Sequence, residues 1–385
     1  MWRDGTVLAL RRSWGAVGRR CVELDVRVGA APAGATAMTA GEELRAVAYE
    51  TLTGAPEPGE RVRLEVSALD RELGTGGHAM VCARLDVLPE DSACAGHLVK
   101  ARYMPDQVVV AGVDEQGTEH HGLLASPVDD LVLGGTPVVV ADLHSSLPAV
   151  LAGARATGGA RGPVRAVYVM TDGGALPLPY SRTAAALRGA GWLAGTVSAG
   201  QAWGGDVEAV SVHNALLAAR RILGADLIVL AQGPGNLGTD TPWGFSGVAC
   251  GDAVNAVAAL GGRAVACLRV SQADARARHR GVSHHSLTAY GRVALAAADV
   301  VVPALPGPLG ERVAAQARGL CGPRPVGARH RYVEVGVDGL LEALEAAQRD
   351  TGVRMSTMGR GLREDAAAFL AAAAAGRHAA GLLAG

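Results

Sequence analysis

The chain has 385 residues, 49% hydrophobic and 19% charged, with a formal net charge of −1 at pH 7. That length leaves room for two domains and a sizeable core. The balanced charge gives no electrostatic case for nucleic acid, and no apolar run approaches the roughly 20 residues of a membrane helix.

Six cysteines are scattered without a C-x-x-C pair. This suits reduced thiols in a cytoplasm better than a disulfide framework or a cysteine zinc site, so the expected location is cytoplasmic. Lys100 is the sole lysine and arginine carries the remaining positive side-chain charge. Arginine counts and alanine runs such as Ala371 to Ala375 therefore receive no functional weight.

The opening MWRDGTVLALRRSWG reads as a first strand, because its apolar patch is too short for a signal peptide. Thr6 to Leu10, Cys21 to Val28, Leu44 to Leu52, Arg61 to Ala68 and His78 to Leu85 are short and often alternate apolar with polar. Gly and Pro turns separate them, as expected of a small β-barrel or sandwich. The segment Pro89 to Gly96 marks a boundary, giving a domain over 1–96 and another over 97–385.

Strand-like and helix-like segments then alternate. Five apolar runs each stop in small polar residues: Pro137 to Ala141, Ala166 to Met170, Leu193 to Val197, Leu227 to Ala231 and Ala264 to Val270. Val300 to Pro303 and Arg331 to Val335 are further strands. Helices are expected at Leu147 to Ala156, Ser181 to Ala190, Val207 to Leu223, Gly251 to Leu260, Ser286 to Ala298, Leu309 to Leu320, Asp338 to Gln348 and Leu362 to Ala375. The expected fold is α/β: an N-terminal β-barrel-like domain followed by a doubly wound, mainly parallel α/β domain. Ligands bind outside the carboxyl ends of such strands, so the five polar clusters are expected along one edge.

His144 follows the first run, where Asp142 could orient it, and Asp172 follows the second beside two glycines. Gln201 lies after the third, and Asp206 reads as an N-cap for the helix from Val207 or as a site residue. Trp203 and Trp243 stand in glycine loops, as pocket walls or core anchors.

Gly233, Gly235 and Gly238, with Asn236 between them, fit G-x-G-x-x-G after a strong strand. No helix opens at Gly238 and no acidic residue ends the next strand, which argues against a dinucleotide fingerprint. The loop remains a candidate for anion contact or a plain turn.

The segment Ser271 to Ser286 brings His279, His284 and His285 together with Arg276, Arg278, Arg280 and Asp274. Imidazoles ligate metals or move protons, and guanidiniums hold carboxylate or phosphate. The plainer reading is a solvated basic loop with a capping serine. Adjacent histidines usually point apart, so one of His284 and His285 is expected to reach a given centre, with His284 preferred. His120 and His121 read as surface residues.

The runs Gly74 to Gly77, Thr171 to Pro177, Gly204 to Val210, Gly233 to Gly235 with Trp243 to Gly247, and His279 to Ser286 resemble those of one bacterial family, domain of unknown function 3866. The resemblance covers nearly the whole chain and implies a soluble bacterial protein. It assigns no activity or catalytic residues, so the site assignments rest on strand ends.

The sequence supports an enzyme, a hydrolase or transferase, acting on a small anionic, phosphorylated or nucleotide-like metabolite. His144 or His284 would be general base or metal ligand and Asp172 a partner carboxylate. Gln201, the Gly233 to Gly238 loop, Arg278 and Arg280 would hold the ligand. The rivals are a regulatory protein binding the same metabolite without turnover, and a nucleic-acid or partner-binding barrel supported only by Arg11, Arg12, Arg19 and Arg20. Cofactor, metal identity and homo-oligomeric state stay open.

Overall fold

The computed structural model describes residues 1–74, 76–91, 94–157 and 164–383. Thr75, within the Gly74 to Gly77 run, and Ser92 and Ala93, within the boundary segment, lie outside them. The chain divides into two compact units, 1–111 with 179–185, and 112–178 with 186–385.

In the first unit, β1 (Trp2–Trp14), β2 (Cys21–Ala30), β3 (Glu43–Tyr49), β4 (Arg61–Glu65) and β5 (Ala79–Arg84) close into a barrel of order β1-β2-β3-β5-β4. The run β4-β1-β2-β3 is a Greek key. Alternation turns Val7, Leu24, Val26, Val62, Leu64 and Val81 inward. A short antiparallel pair, β6 (Leu98–Lys100) and β7 (Val108–Val110), follows.

The second unit is built on β8 (Pro137–Ala141), β9 (Ala166–Thr171), β10 (Gly195–Ala199), β11 (Val207–Ala209), β12 (Leu227–Gln232), β13 (Arg263–Cys267), β16 (Asp299–Pro303) and β17 (Arg331–Val335). Between β13 and β16 lies a small antiparallel pair, β14 (Val270–Ser271) and β15 (Gly281–Val282). The eight-stranded sheet runs β11-β10-β9-β12-β8-β13-β16-β17, with all pairings parallel. Both faces of its central strands are buried, which is why they read as continuous apolar runs.

Val138 and Val140 share a core with Leu216, Val254 and Val257 from the helices Val212–Arg221 and Cys250–Ala259. Val139 alternates to the opposite layer. There the helices Leu147–Ala156 and Ala366–Gly381 pack against each other, so closely that a Cβ on Gly153 or Gly376 would sit 1.8 Å from a carbonyl oxygen of the partner helix.

The chain leaves β8 for β9 on one side and leaves β12 for β13 on the other, crossing a neighbouring strand each time. The adjacent ends of β8 and β12 therefore form a topological switch point, where loops diverge and leave a crevice.

Three sequence expectations change. The helix expected from Val207 begins at Val212 behind the cap Ser211, because Val207–Ala209 pairs with β10 as the sheet edge. Asp206 is consequently not an N-cap: it accepts from the backbone and hydroxyl of Thr196 and pairs with Arg188. The run Ala264 to Val270 breaks after Cys267, and the helix expected from Ser286 begins at His284 and passes into a π-turn at Ala289–Val293.

Candidate functional site

Asp142 emerges directly from β8 into the switch point and is buried. Arg269 Nη1 and His285 Nδ1 each lie 3.1 Å from its Oδ2 and both donate to it. Asn236 Nδ2 donates to Oδ1 at 3.0 Å. Burial alone would raise the pKa of this carboxyl, but the His285 hydrogen bond and the Arg269 charge hold it below the ordinary value. Gly247 is required beside it, since a Cβ there would stand 1.7 Å from Oδ1.

The break after Cys267 brings Arg269 to this carboxylate. Its backbone N–H donates to Ser286 Oγ and its carbonyl accepts from Ser283 N, which ties the strand end to the helix His284–Thr288. Ser283 caps that helix through His285 N and also contacts His279 Nδ1 at 2.7 Å. The result is a three-histidine cluster: one ring nitrogen from each of His279, His284 and His285 lies within 4.8 Å of the others. Phe245 stacks on His285, with centroids 3.8 Å apart and planes 6° apart.

Both adjacent histidines thus reach one centre, against the expectation that only one would. In an extended segment neighbouring side chains point to opposite sides, but at a helix start they diverge by about 100°, and both rings can lean inward. Burial pushes the His284 pKa down to about 4, aided by the charge of Arg278. Burial, with Arg269 and Arg276 nearby, takes His279 down to about 3. Both are therefore neutral at pH 7. His284 Nε2 and Arg278 Nε are buried without a hydrogen-bond partner among the described residues.

His144 meets neither Asp142 nor this cluster through its Nδ1, which lies 3.0 Å from the Tyr168 hydroxyl. Tyr168 itself donates toward the carbonyl of Gln232 at 3.1 Å, so His144 Nδ1 carries a proton and donates to the phenol oxygen. Burial lowers the His144 pKa to about 4. Gln232 closes a chain of contacts, because its Nε2 donates to the Asp142 carbonyl.

Asp172 is exposed and accepts from Gln201 N at 2.9 Å. Its loop packs on the next one: a Cβ on Gly173 would reach Gln232 Oε1 at 2.5 Å, and Ala175 N donates to Pro234 O. Gly233 allows the same close approach, Gly235 adopts φ +87°, and Gly238 bridges to Phe245. The glycine loop thereby carries Asn236 to Asp142.

Arg278 pairs with Asp240. Arg280 donates to the Asp274 carbonyl, and Asp274 accepts from Arg276, so these residues hold the loop in shape. Trp203 is buried, whereas Trp243 is exposed. His121 donates toward the Asp114 carbonyl and His120 pairs with Glu119.

Arg269 and Phe245 escaped the sequence reading. Arg269 had a signal: it is the only charge in the run Ala264 to Val270. Phe245 had none beyond being one of two phenylalanines.

A family model described as a protein of unknown function, DUF3866, matches residues 45–376. The chain belongs to the DUF3866 family. No curated protein matches it. In this DUF3866 protein the Asp142 cluster and all three histidines fall inside the matched segment, and no helix among the described residues is long and apolar enough to cross a membrane.

Proposed function

We propose that this protein is an enzyme acting on a small anionic metabolite by hydrolysis or group transfer at the carboxyl ends of β8, β12 and β13. The observation carrying this reading is the Asp142–His285 contact at the switch point, which fixes one imidazole of a three-ring cluster. The cluster is the group that activates an attacking water or hydroxyl. Arg278, whose buried Nε has no hydrogen-bond partner among the described residues, and the Gly233 to Gly238 loop are the anion contacts. His144, kept neutral and oriented by Tyr168, is a second acid–base group on the same edge.

The non-catalytic reading predicts a site with no imidazole in hydrogen-bond reach of a carboxylate, and His285 is in such reach. The barrel-binding reading loses support because Arg11, Arg12 and Arg20 pair with Asp25, Glu23 and Glu50.

The test is a turnover screen of phosphomonoesters, phosphodiesters, nucleotides and carboxylic esters, with His285→Asn as comparison. The expected result is turnover of one phosphorylated class, reduced at least 100-fold in the variant. Equal turnover by the variant, or ligand binding without turnover, would overturn the enzyme reading.

A further inference from the structure

We propose that His279, His284 and His285 form the binding site for one divalent transition-metal ion of the zinc class. The inference deepens the reading above and rests on it only for the cluster's place beside the substrate.

The donor set is nitrogen alone, which suits zinc, cobalt, nickel or copper and not magnesium or calcium, whose shells are built from oxygen. A tetrahedral ion with nitrogens at about 2.0–2.1 Å would hold them roughly 3.4 Å apart, so a trio now within 4.8 Å closes by no more than about 1.5 Å. Among the described residues no other group of histidines, cysteines and carboxylates has this spacing.

The remaining ring nitrogens are arranged as metal-binding histidines require. His285 Nδ1 donates to Asp142 and His279 Nδ1 lies against Ser283 Oγ, which leaves the Nε2 lone pair of each ring as the ligand. A carboxylate or hydroxyl behind a ligating imidazole fixes its tautomer and ring plane. Phe245 supports the His285 plane by stacking on its face.

His284 Nε2 supplies a second, independent pointer. It is a buried polar atom with no hydrogen-bond partner among the described residues, a state that costs free energy unless something binds it. The three nearby guanidiniums do not oppose a cation strongly, because Asp142 neutralises Arg269, Asp274 neutralises Arg276 and Asp240 neutralises Arg278.

Three protein ligands leave a fourth position for water or substrate, the arrangement of catalytic rather than structural zinc sites. A bound zinc lowers the pKa of its water toward about 7. The trio would thereby supply a nucleophile at neutral pH.

The experiment titrates untagged, chelator-treated protein with Zn²⁺ against a chromophoric chelator, and with Co²⁺ followed by visible absorption. The expected result is one equivalent per chain, intense tetrahedral Co²⁺ bands, and no competition from millimolar Mg²⁺ or Ca²⁺. His284→Ala should weaken Zn²⁺ binding at least 100-fold with unchanged circular dichroism; His284→Gln is the second variant should alanine disturb the helix start. Asp142→Asn, a positioning change, should weaken it about 10- to 100-fold. Substoichiometric binding, or parental affinity in folded His284→Ala or His284→Gln, would overturn the site. Turnover that falls in His285→Asn without any metal uptake would remove the metal and leave the enzyme reading standing. Metal uptake without turnover would do the reverse.

Discussion

Replacing Asp142 by Asn tests whether the switch point is held by charge. The Asp142 and Arg269 side chains are only 5% and 10% exposed, and the carboxylate collects three donors from Arg269, His285 and Asn236. The amide keeps one acceptor and nearly the same shape, and Asn236 can turn its own amide to suit. What is lost is the counter-charge of a buried guanidinium. Truncating one partner of a buried pair costs about 3–5 kcal/mol, and retention of shape places this variant near the low end, about 3 kcal/mol. Urea denaturation in EDTA, read from the buried Trp192 and Trp203 of the same unit, should show the loss. Combining Asp142→Asn with Arg269→Met removes the stranded cation as well, so the double variant should recover at least about 1.5 kcal/mol relative to the sum of the singles. A loss below about 1 kcal/mol for Asp142→Asn, or strict additivity in the double variant, would refute the charge-pair account.

Three further outcomes follow from the same physics. His144, whose folded pKa is lowered to about 4 by burial, is bound as the neutral ring. Its stabilisation is complete above the unfolded value near 6.5 and is lost toward pH 4, by up to about 1.4 kcal/mol per pH unit; His144→Gln should show a flatter stability profile over that window, and identical slopes would dismiss the assignment. Asp299, buried but held below the ordinary carboxyl value by His378, Arg263 and Arg331, stabilises above about pH 4 and stops doing so as pH falls through its folded pKa. Asp299→Asn should therefore be less stable at pH 7 and approach the parent in acid; a constant gap would contradict this. Gly153→Ala and Gly376→Ala each drive a Cβ to 1.8 Å from a carbonyl oxygen of the partner helix. Overpacking of about 1–3 kcal/mol should outweigh the gain of about 1 kcal/mol in helix propensity, so each should lower the urea midpoint, and a raised midpoint would show that the helices separate freely.

Local chemistry was enough to read the architecture. A central parallel strand is buried on both faces, so Pro137–Ala141 had to be wholly apolar and bounded by polar residues, and the strand matches the run residue for residue. The barrel strands announced themselves through alternation and Gly-Pro turns. Val207–Ala209 could not be assigned this way, because three residues leading into an amphipathic helix read the same whether or not a sheet edge is there to receive them. Pairing with β10 decided it.

The site divides along the same line. The Ser271 to Ser286 segment displayed its imidazoles and guanidiniums in sequence, but which of them turn inward depended on a helix start that brings His284 and His285 to one side. Arg280 Nε donates within its own loop, and Asp142 holds His285 rather than the nearer His144. That partnership spans more than a hundred residues, and no local preference encodes it. Composition and periodicity determined the central strands, the barrel and the edge on which polar loops gather. Strand order alone placed the ends of β8 and β12 side by side, and burial there made Asp142, Arg269 and His285 satisfy one another.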